Sequence, residues 1–274
     1  MLHSGMDEKA LRQAIVDIGR RLYERGYIAA GDGNISARLA DGRGLLATPT
    51  GVCKGYLTPE MLVLVDNQGR KTQGQHDPSS ELAMHMVVYN LRPDINAIVH
   101  AHPPVGTGFA AAGLALTTPL ISEVVLTLGC IPLAEYGTPT TMELPQAIKP
   151  YVPYYDALLL ANHGALTYGP DLEKAYFKME TLEHFARISL VARLVGQEKP
   201  LSPEAVEKLF QIRQQGGASS PSPALCQVPP PVPPTQNTSS NRDEHITLTR
   251  QQLVDLIAES VEVLLSVLAG RAQN

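Results

Sequence analysis

Apolar and polar positions along the 274-residue chain follow two periods. Residues 7–25 carry Leu11, Ala14, Ile15, Ile18 and Leu22 at helical spacing. Arg12, Asp17, Arg20, Arg21 and Glu24 lie opposite, and Asp7 is available as the N-cap. That pattern predicts an amphipathic helix lying on a sheet. Short apolar runs bounded by turn residues predict strands at 44–47, at 62–65 before Asp66-Asn67-Gln68-Gly69, and at 97–99, 131–133 and 157–160. After Pro78, the sequence through Met84, Val87, Val88 and Leu91 predicts a helix, with Ser79 and Ser80 near its start and Glu81 in its first turn. Residues 106–116 read as a buried helix, 142–148 as a short one and 171–195 as a long one. The run from Leu120 to Leu128 is interrupted by Glu123, which marks an interface or a site.

The periodicity stops at residue 216. Gly216-Gly217 opens a segment rich in Pro and Ser that runs through Pro234 and then into polar residues to Asn241. It carries too little apolar surface to offset the entropy of ordering, so 216–247 is expected to be an extended linker. Thr249 and Gln252 then form a capping-box signature, followed by Leu253, Leu256, Ile257, Val261, Leu264 and Leu268 at helical spacing. The expected organisation is a domain over 1–215, a linker over 216–247 and a tethered amphipathic helix over 248–270. The polar face of that helix has Asp255, Glu259 and Glu262 and no lysine. Its apolar stripe therefore suits a protein groove or self-association better than an anionic membrane.

Composition narrows the classes. The formal charge is -5 and no long basic run is present, which argues against a nucleic-acid partner. No apolar stretch approaches the roughly 20 residues needed to span a bilayer. The N-terminus shows no basic and apolar leader, and the three cysteines form no C-x-x-C pair, which fits a reducing cytoplasm.

The chemistry concentrates at turns. His100 and His102 follow the apolar pair Ile98-Val99 and precede Pro103-Pro104. Residues i and i+2 share a strand face, so the two imidazoles are either metal ligands or surface decoration at a strand end. His163 stands after the apolar run 157–160, followed by Gly164, and offers a third imidazole; three histidines with an open position form a catalytic zinc set. His85 and His184 read as packing and surface residues. Gly31-Asp32-Gly33-Asn34 is either an ordinary β-turn or an anion-binding nest. Thr48-Pro49-Thr50-Gly51 is a second hydroxyl-rich turn, and Ser79 and Ser80 at a helix start attract a phosphate.

With Gly33-Asn34-Ile35-Ser36, Thr48-Pro49-Thr50-Gly51, Pro78-Ser79-Ser80-Glu81, His100-Ala101-His102 and Asn162-His163-Gly164 in this order, the chain resembles the class II aldolase/adducin family over residues 8–210. Within that family it resembles the sugar-phosphate aldolases. The resemblance implies an α/β class, three-layer α/β/α fold around a largely antiparallel sheet, assembled as a homotetramer with sites between subunits. It implies one zinc per subunit on His100, His102 and His163. Gly33, Asn34, Thr50, Gly51, Ser79 and Ser80 would hold the substrate phosphate, and Glu81 would be the general acid/base. The implied reaction is retro-aldol cleavage of a deoxy-ketose 1-phosphate, L-fuculose or L-rhamnulose 1-phosphate, to dihydroxyacetone phosphate and lactaldehyde. Adducin-like members lack the metal histidines, and the pentulose-phosphate 4-epimerases generally have an aspartate where this chain has Glu81. A 4-epimerase, a keto-acid phosphate decarboxylase and an adducin-like scaffold stand as alternatives. The aldolase tyrosines that handle the aldehyde half are not matched here, which leaves Glu123, Tyr136 and Tyr168 as candidates for that half. The tail resembles the encapsulation peptides of bacterial microcompartments, implying a shell-protein partner and a cytoplasmic enzyme in the compartment lumen.

Overall fold

The computed structural model describes residues 6–215; the linker and helix expected over 216–270 lie outside the described residues. Helix α1 (Glu8–Glu24) is capped by Asp7, whose carboxylate accepts from the Ala10 N–H at 2.7 Å. It buries Leu11, Ile15, Ile18 and Leu22 on one side, as the periodicity predicts.

Among the described residues eight strands form one sheet. In chain order they are β1 (Asn34–Arg38), β2 (Leu45–Ala47), β3 (Val63–Val65), β4 (Lys71–Gln73), β5 (Ala97–Ala101), β6 (Leu133–Ala134), β7 (Ala157–Leu160) and β8 (Gly164–Gly169). The order across the sheet is β4-β3-β2-β1-β5-β8-β7-β6. Every neighbouring pair is antiparallel except β6 and β7, which are parallel. The remaining helices are α2 (Leu82–Leu91), α3 (Pro104–Ala111), α4 (Ser122–Thr127), α5 (Glu143–Ile148), α6 (Leu172–Val195) and α7 (Pro203–Gln215).

Strand side chains alternate between faces, and the buried residues sort accordingly into two cores. Ile35, Ala37, Val99, Ala101 and Leu159 pack with Leu11 and Ile15 of α1, Phe109 of α3, and Met179 and Leu182 of α6. Ile98, Leu158, Leu166 and Tyr168 point the other way, toward Met84 and Val88 of α2 and Leu144 and Ile148 of α5. Helices therefore cover both faces of a mixed but mainly antiparallel sheet. No helix among the described residues is long and apolar enough to cross a membrane.

Several boundaries differ from the sequence reading. Helix α2 begins at Leu82, so Glu81 is its N-cap rather than a first-turn residue, and its carboxylate makes no capping bond. That leaves the side chain free to turn toward the sheet. Helix α3 starts at Pro104 and ends at Ala111, not 106–116. Proline suits a first helical position, where an N–H would have no intrahelical partner, and Gly113 at φ 71 carries the chain away. Strand β4 is an exposed Lys-Thr-Gln edge with no apolar signal, and β8 is buried along its whole length, so it shows no alternation.

One packing relation places the site. Glu81, His85 and Tyr89 stand four apart on α2 and its cap, and they meet Asn34, Ser36 and Arg38, which stand two apart on β1. Four helical residues rise about 6 Å and two strand residues about 6.7 Å, so the two rows keep step. The Asn34 amide donates to Glu81 Oε2 at 2.8 Å. Ser36 Oγ lies 2.7 Å from His85 Nδ1 and 2.9 Å from the Tyr89 hydroxyl. Arg38 donates to the Tyr89 carbonyl at 2.9 Å while its guanidinium sits 4.6 Å from the centre of the Tyr89 ring. Burial pushes His85 down to about 4, so at neutral pH this imidazole joins the row uncharged.

Candidate metal and anion site

The three histidines arrive from neighbouring parts of the sheet. His100 is in β5, directly opposite Asn34 of β1, and is fully buried on the α2 face. His102 follows the end of β5, where its backbone N–H donates to the Tyr27 carbonyl at 2.8 Å. His163 sits in the turn joining β7 to β8, which pairs with β5. Asn162 adopts φ 54 in that turn, and the His163 N–H donates to the Leu160 carbonyl at 3.0 Å. Gly164 is required there by space: a Cβ would stand 2.5 Å from His102 Cδ2 and 2.7 Å from the Ala101 carbonyl oxygen.

One nitrogen from each ring lies within 4.8 Å of the others. His100 Nδ1 is 2.9 Å from the Ala165 carbonyl oxygen. A carbonyl only accepts, so Nδ1 carries the proton and the Nε2 lone pair faces inward. His102 Nδ1 lies 3.4 Å from the Asp32 carboxylate, which sets the same tautomer. The two Nε2 atoms are then 3.2 Å apart with lone pairs opposed, an arrangement that a shared cation relieves. Glu81 adds its charge, with Oε1 3.1 Å from His163 Nε2 and Oε2 3.4 Å from His100 Nε2. His163 Nδ1 is buried without a hydrogen-bond partner. A compact set of imidazole nitrogens beside a carboxylate fits a divalent ion of the zinc type.

The electrostatics agree with that assignment. Burial pushes the His100 imidazole well below its ordinary range, against the opposing pull of Glu81. His102 is lowered by burial and by the neighbouring His163, against Asp32 and Glu81. Both are therefore neutral at physiological pH, the form in which an imidazole can ligate a metal. Burial alone would raise the Glu81 carboxyl, but the hydrogen bond to His163, the adjacent imidazoles and the Asn34 amide outweigh it and hold the group well below the usual carboxylate range.

Beside the histidines is a cavity of about 210 Å³. Its walls bring together Gly33, Asn34, Thr50, Gly51, Ser79, Ser80, Glu81, His102 and His163; His100 is fully buried and is not one of the lining residues. The two hydroxyl-rich turns are stitched to each other. The Thr50 N–H donates to the Asp77 carbonyl and the Ser79 N–H to the Thr48 carbonyl, each at 3.1 Å. Gly33 holds φ 68, where a Cβ would stand 2.7 Å from the His100 carbonyl oxygen.

Three expected residues are not brought there. Glu123 is exposed on α4 and Tyr136 is 57% exposed. Tyr168 is buried on β8, and its hydroxyl donates to the Tyr155 carbonyl. The register explains this: β5 pairs His100 with Leu166 and Ile98 with Tyr168, so Tyr168 is one pleat repeat away from the site end of the sheet. None of the three lines the cavity.

Lys54, Thr140 and Asp32 do line it, and sequence reasoning passed over all three as site residues. Lys54 is only 2% exposed and its ammonium donates to the Gly31 carbonyl. Burial draws it below the ordinary lysine range, while Asp32 and Glu81 are among the groups that counter the shift. Thr140 reaches the cavity from a loop in which it adopts φ 67. A lone lysine in Gly-Val-Cys-Lys-Gly has no periodicity to mark it.

Comparison with known proteins follows the same geometry. An L-fuculose phosphate aldolase of Methanococcus maripaludis is 35% identical over 178 residues, covering 64% of this chain and 94% of that protein. A 3-oxo-tetronate 4-phosphate decarboxylase of Escherichia coli K12 is also 35% identical, over 67% of this chain and 88% of its own length. The crystal structure of YgbL from Klebsiella pneumoniae superposes with a TM-score of 0.69 at 37% identity, covering 75% of this chain and 100% of that one. A match to the family described as Class II Aldolase and Adducin N-terminal domain runs from residue 13 to residue 190, so the histidines, Glu81 and the stitched turns all fall inside it and the chain belongs to that family.

Proposed function

We propose that this chain cleaves a carbon–carbon bond in a phosphorylated ketose, releasing dihydroxyacetone phosphate and lactaldehyde from L-fuculose or L-rhamnulose 1-phosphate. It is an enzyme of the metal-dependent lyase type. The observation that carries the reading is the convergence of three imidazoles, from His100, His102 and His163, with the Glu81 carboxylate 3.1 to 3.4 Å from two of them. His100, His102 and His163 would hold a divalent ion, zinc by its donor set. When bound, that ion supplies positive charge for the oxygen anion that develops as the bond breaks.

The chain's own groups do the rest. Gly33, Asn34, Thr50, Gly51, Ser79 and Ser80 orient the phosphate. Cleavage sends the electron pair of the C3–C4 bond to C3, and the C4 hydroxyl gives its proton to the ionised Glu81 carboxylate as the aldehyde forms, so that Glu81 can return it to C3. Glu81 is placed to move a proton at the three-carbon fragment that remains, with Asn34 fixing its orientation.

A second reading draws on the decarboxylase relative, which stands at the same 35% identity as the aldolase relative. Loss of carbon dioxide from a 3-oxo-tetronate 4-phosphate also leaves dihydroxyacetone phosphate. The two reactions share the phosphate-bearing fragment and differ only in what leaves. A panel of L-fuculose 1-phosphate, L-rhamnulose 1-phosphate, a pentulose phosphate and 3-oxo-tetronate 4-phosphate separates them by product. Lactaldehyde from a deoxy-ketose phosphate is the expected result. Carbon dioxide from the oxo-acid alone would replace the aldolase assignment, and an epimeric pentulose phosphate would favour the epimerase.

The assembly proposed is a homotetramer, in keeping with the family. The apolar stripe expected over 248–270 supports docking on a microcompartment shell protein, with the enzyme cytoplasmic and housed in the lumen. Removing residues 217–274 should leave turnover intact and abolish co-sedimentation with shells; loss of turnover would instead make the tail part of the catalytic unit.

A further inference from the structure

The placement of Lys54 is unusual. A lysine is among the residues least often fully buried without a partner charge. Here the side chain is 2% exposed, and it runs inward to the Gly31 carbonyl at the edge of the cavity. Its backbone is fixed from behind. Lys54 opens a short 3-10 turn, Lys54–Tyr56, wedged against α1. A Cβ at Gly19 would stand 2.5 Å from the Lys54 carbonyl oxygen, and one at Gly55 would stand 2.5 Å from the Tyr23 ring. The ammonium is thus delivered by a clamped backbone. The Gly31 carbonyl uses one of its three N–H bonds.

The charge balance of the cavity gives that cation a task. Asp32 and Glu81 put two carboxylates into the walls, and Lys54 is the one lysine or arginine among the described residues that line it. A phosphate dianion entering this space meets carboxylate repulsion. Two amides that a phosphate turn would otherwise offer, those of Thr50 and Ser79, are committed to the Asp77 and Thr48 carbonyls. Hydroxyls and the remaining turn amides supply hydrogen bonds without a full opposing charge.

We propose that Lys54 is the charge that selects an anionic, phosphorylated substrate at this site, acting as a specificity-determining residue in the wall it shares with the stitched turns. The inference rests on the lyase reading above, because it takes the cavity to be the seat of the substrate phosphate. Hydrogen bonds to a charged partner are the stronger class, and losing one corresponds to roughly a ten- to hundredfold change in affinity.

The test uses the metal-loaded full chain, inorganic phosphate as a competitive inhibitor, and one ketose offered with and without its phosphate. Lys54→Met is expected to raise both the KM of the phosphorylated ketose and the inhibition constant of phosphate by about ten- to hundredfold. kcat should fall far less than the KM rises. The loss should weigh at least tenfold more heavily on the phosphorylated than on the unphosphorylated ketose, and Lys54→Arg should recover part of it. Equal losses on both ketoses would make Lys54 a mere pin for the Gly31 turn and overturn the proposal. If phosphate inhibits Lys54→Met as well as it inhibits the unaltered protein, the role of Lys54 falls while the phosphate cavity stands. If phosphate does not inhibit the unaltered protein, the cavity assignment falls first and takes Lys54 with it.

Discussion

Replacing Glu81 by glutamine will lower kcat by about 10²- to 10⁴-fold, the range a well-placed proton-transfer group contributes, while metal content and KM stay close to those of the unaltered enzyme. Glutamine has the same shape and keeps an oxygen for the Asn34 amide, which now donates to Glu81 Oε2 at 2.8 Å. What is lost is the capacity to take and return a proton. The control is exchange of solvent deuterium into dihydroxyacetone phosphate, a half-reaction that needs no aldehyde. It should fall in parallel with kcat. A variant that turns over at more than a tenth of the normal rate, or that exchanges deuterium normally, would remove Glu81 from the proton-handling role.

His100→Ala and His163→Ala should each empty the centre. Each removes one member of a set whose nitrogens lie within 4.8 Å of one another, and two imidazoles do not hold a divalent ion as three do. The loss of metal affinity should exceed the roughly 10- to 100-fold that removal of a supporting contact costs. The expected measurement is atomic spectroscopy showing less metal per chain, with turnover at the level of chelator-treated protein. His163 is the cleaner site, because it stands in a turn at the cavity wall whereas His100 fills space in the core. Unchanged metal content in a folded His163→Ala protein would show that the ion is held elsewhere and would return the chain to the scaffold reading.

The parts of this site that can be read from sequence are those whose chemistry and backbone requirement coincide. Gly33-Asn34, Thr50-Gly51 and His163-Gly164 each combine a polar side chain with a glycine next to it, and in the structure Gly33 and Gly164 have no room for a Cβ. Glu81 was legible by its neighbours but not in its placement: a first-turn carboxylate and an N-cap look alike until the register with β1 is known. Lys54 and Thr140 carried no signal, since one is a single cation in a loop and the other reaches the cavity through a φ of 67. Tyr168 illustrates the opposite failure. It lies close in sequence to His163, yet the pleat and pairing of β8 point it into the core with Tyr155. Length and apolar residues at helical spacing marked α1 and α6, while the exposed edge β4 and the wholly buried β8 offered no period to read.

The step-for-step match between α2 and β1 has a bearing on assembly of the site. All three histidines belong to the block formed by β5, β8 and β7, whereas Glu81 is held from the other side, through Asn34 on β1. Without β1 in place the three imidazoles would keep their strands, while Glu81 would lose its Asn34 anchor. The imidazole set and the anchoring of the carboxylate therefore rest on different strands, so the two can be lost separately. Slippage of β1 by one residue would turn Asn34 to the opposite face and undo the second property without touching the first.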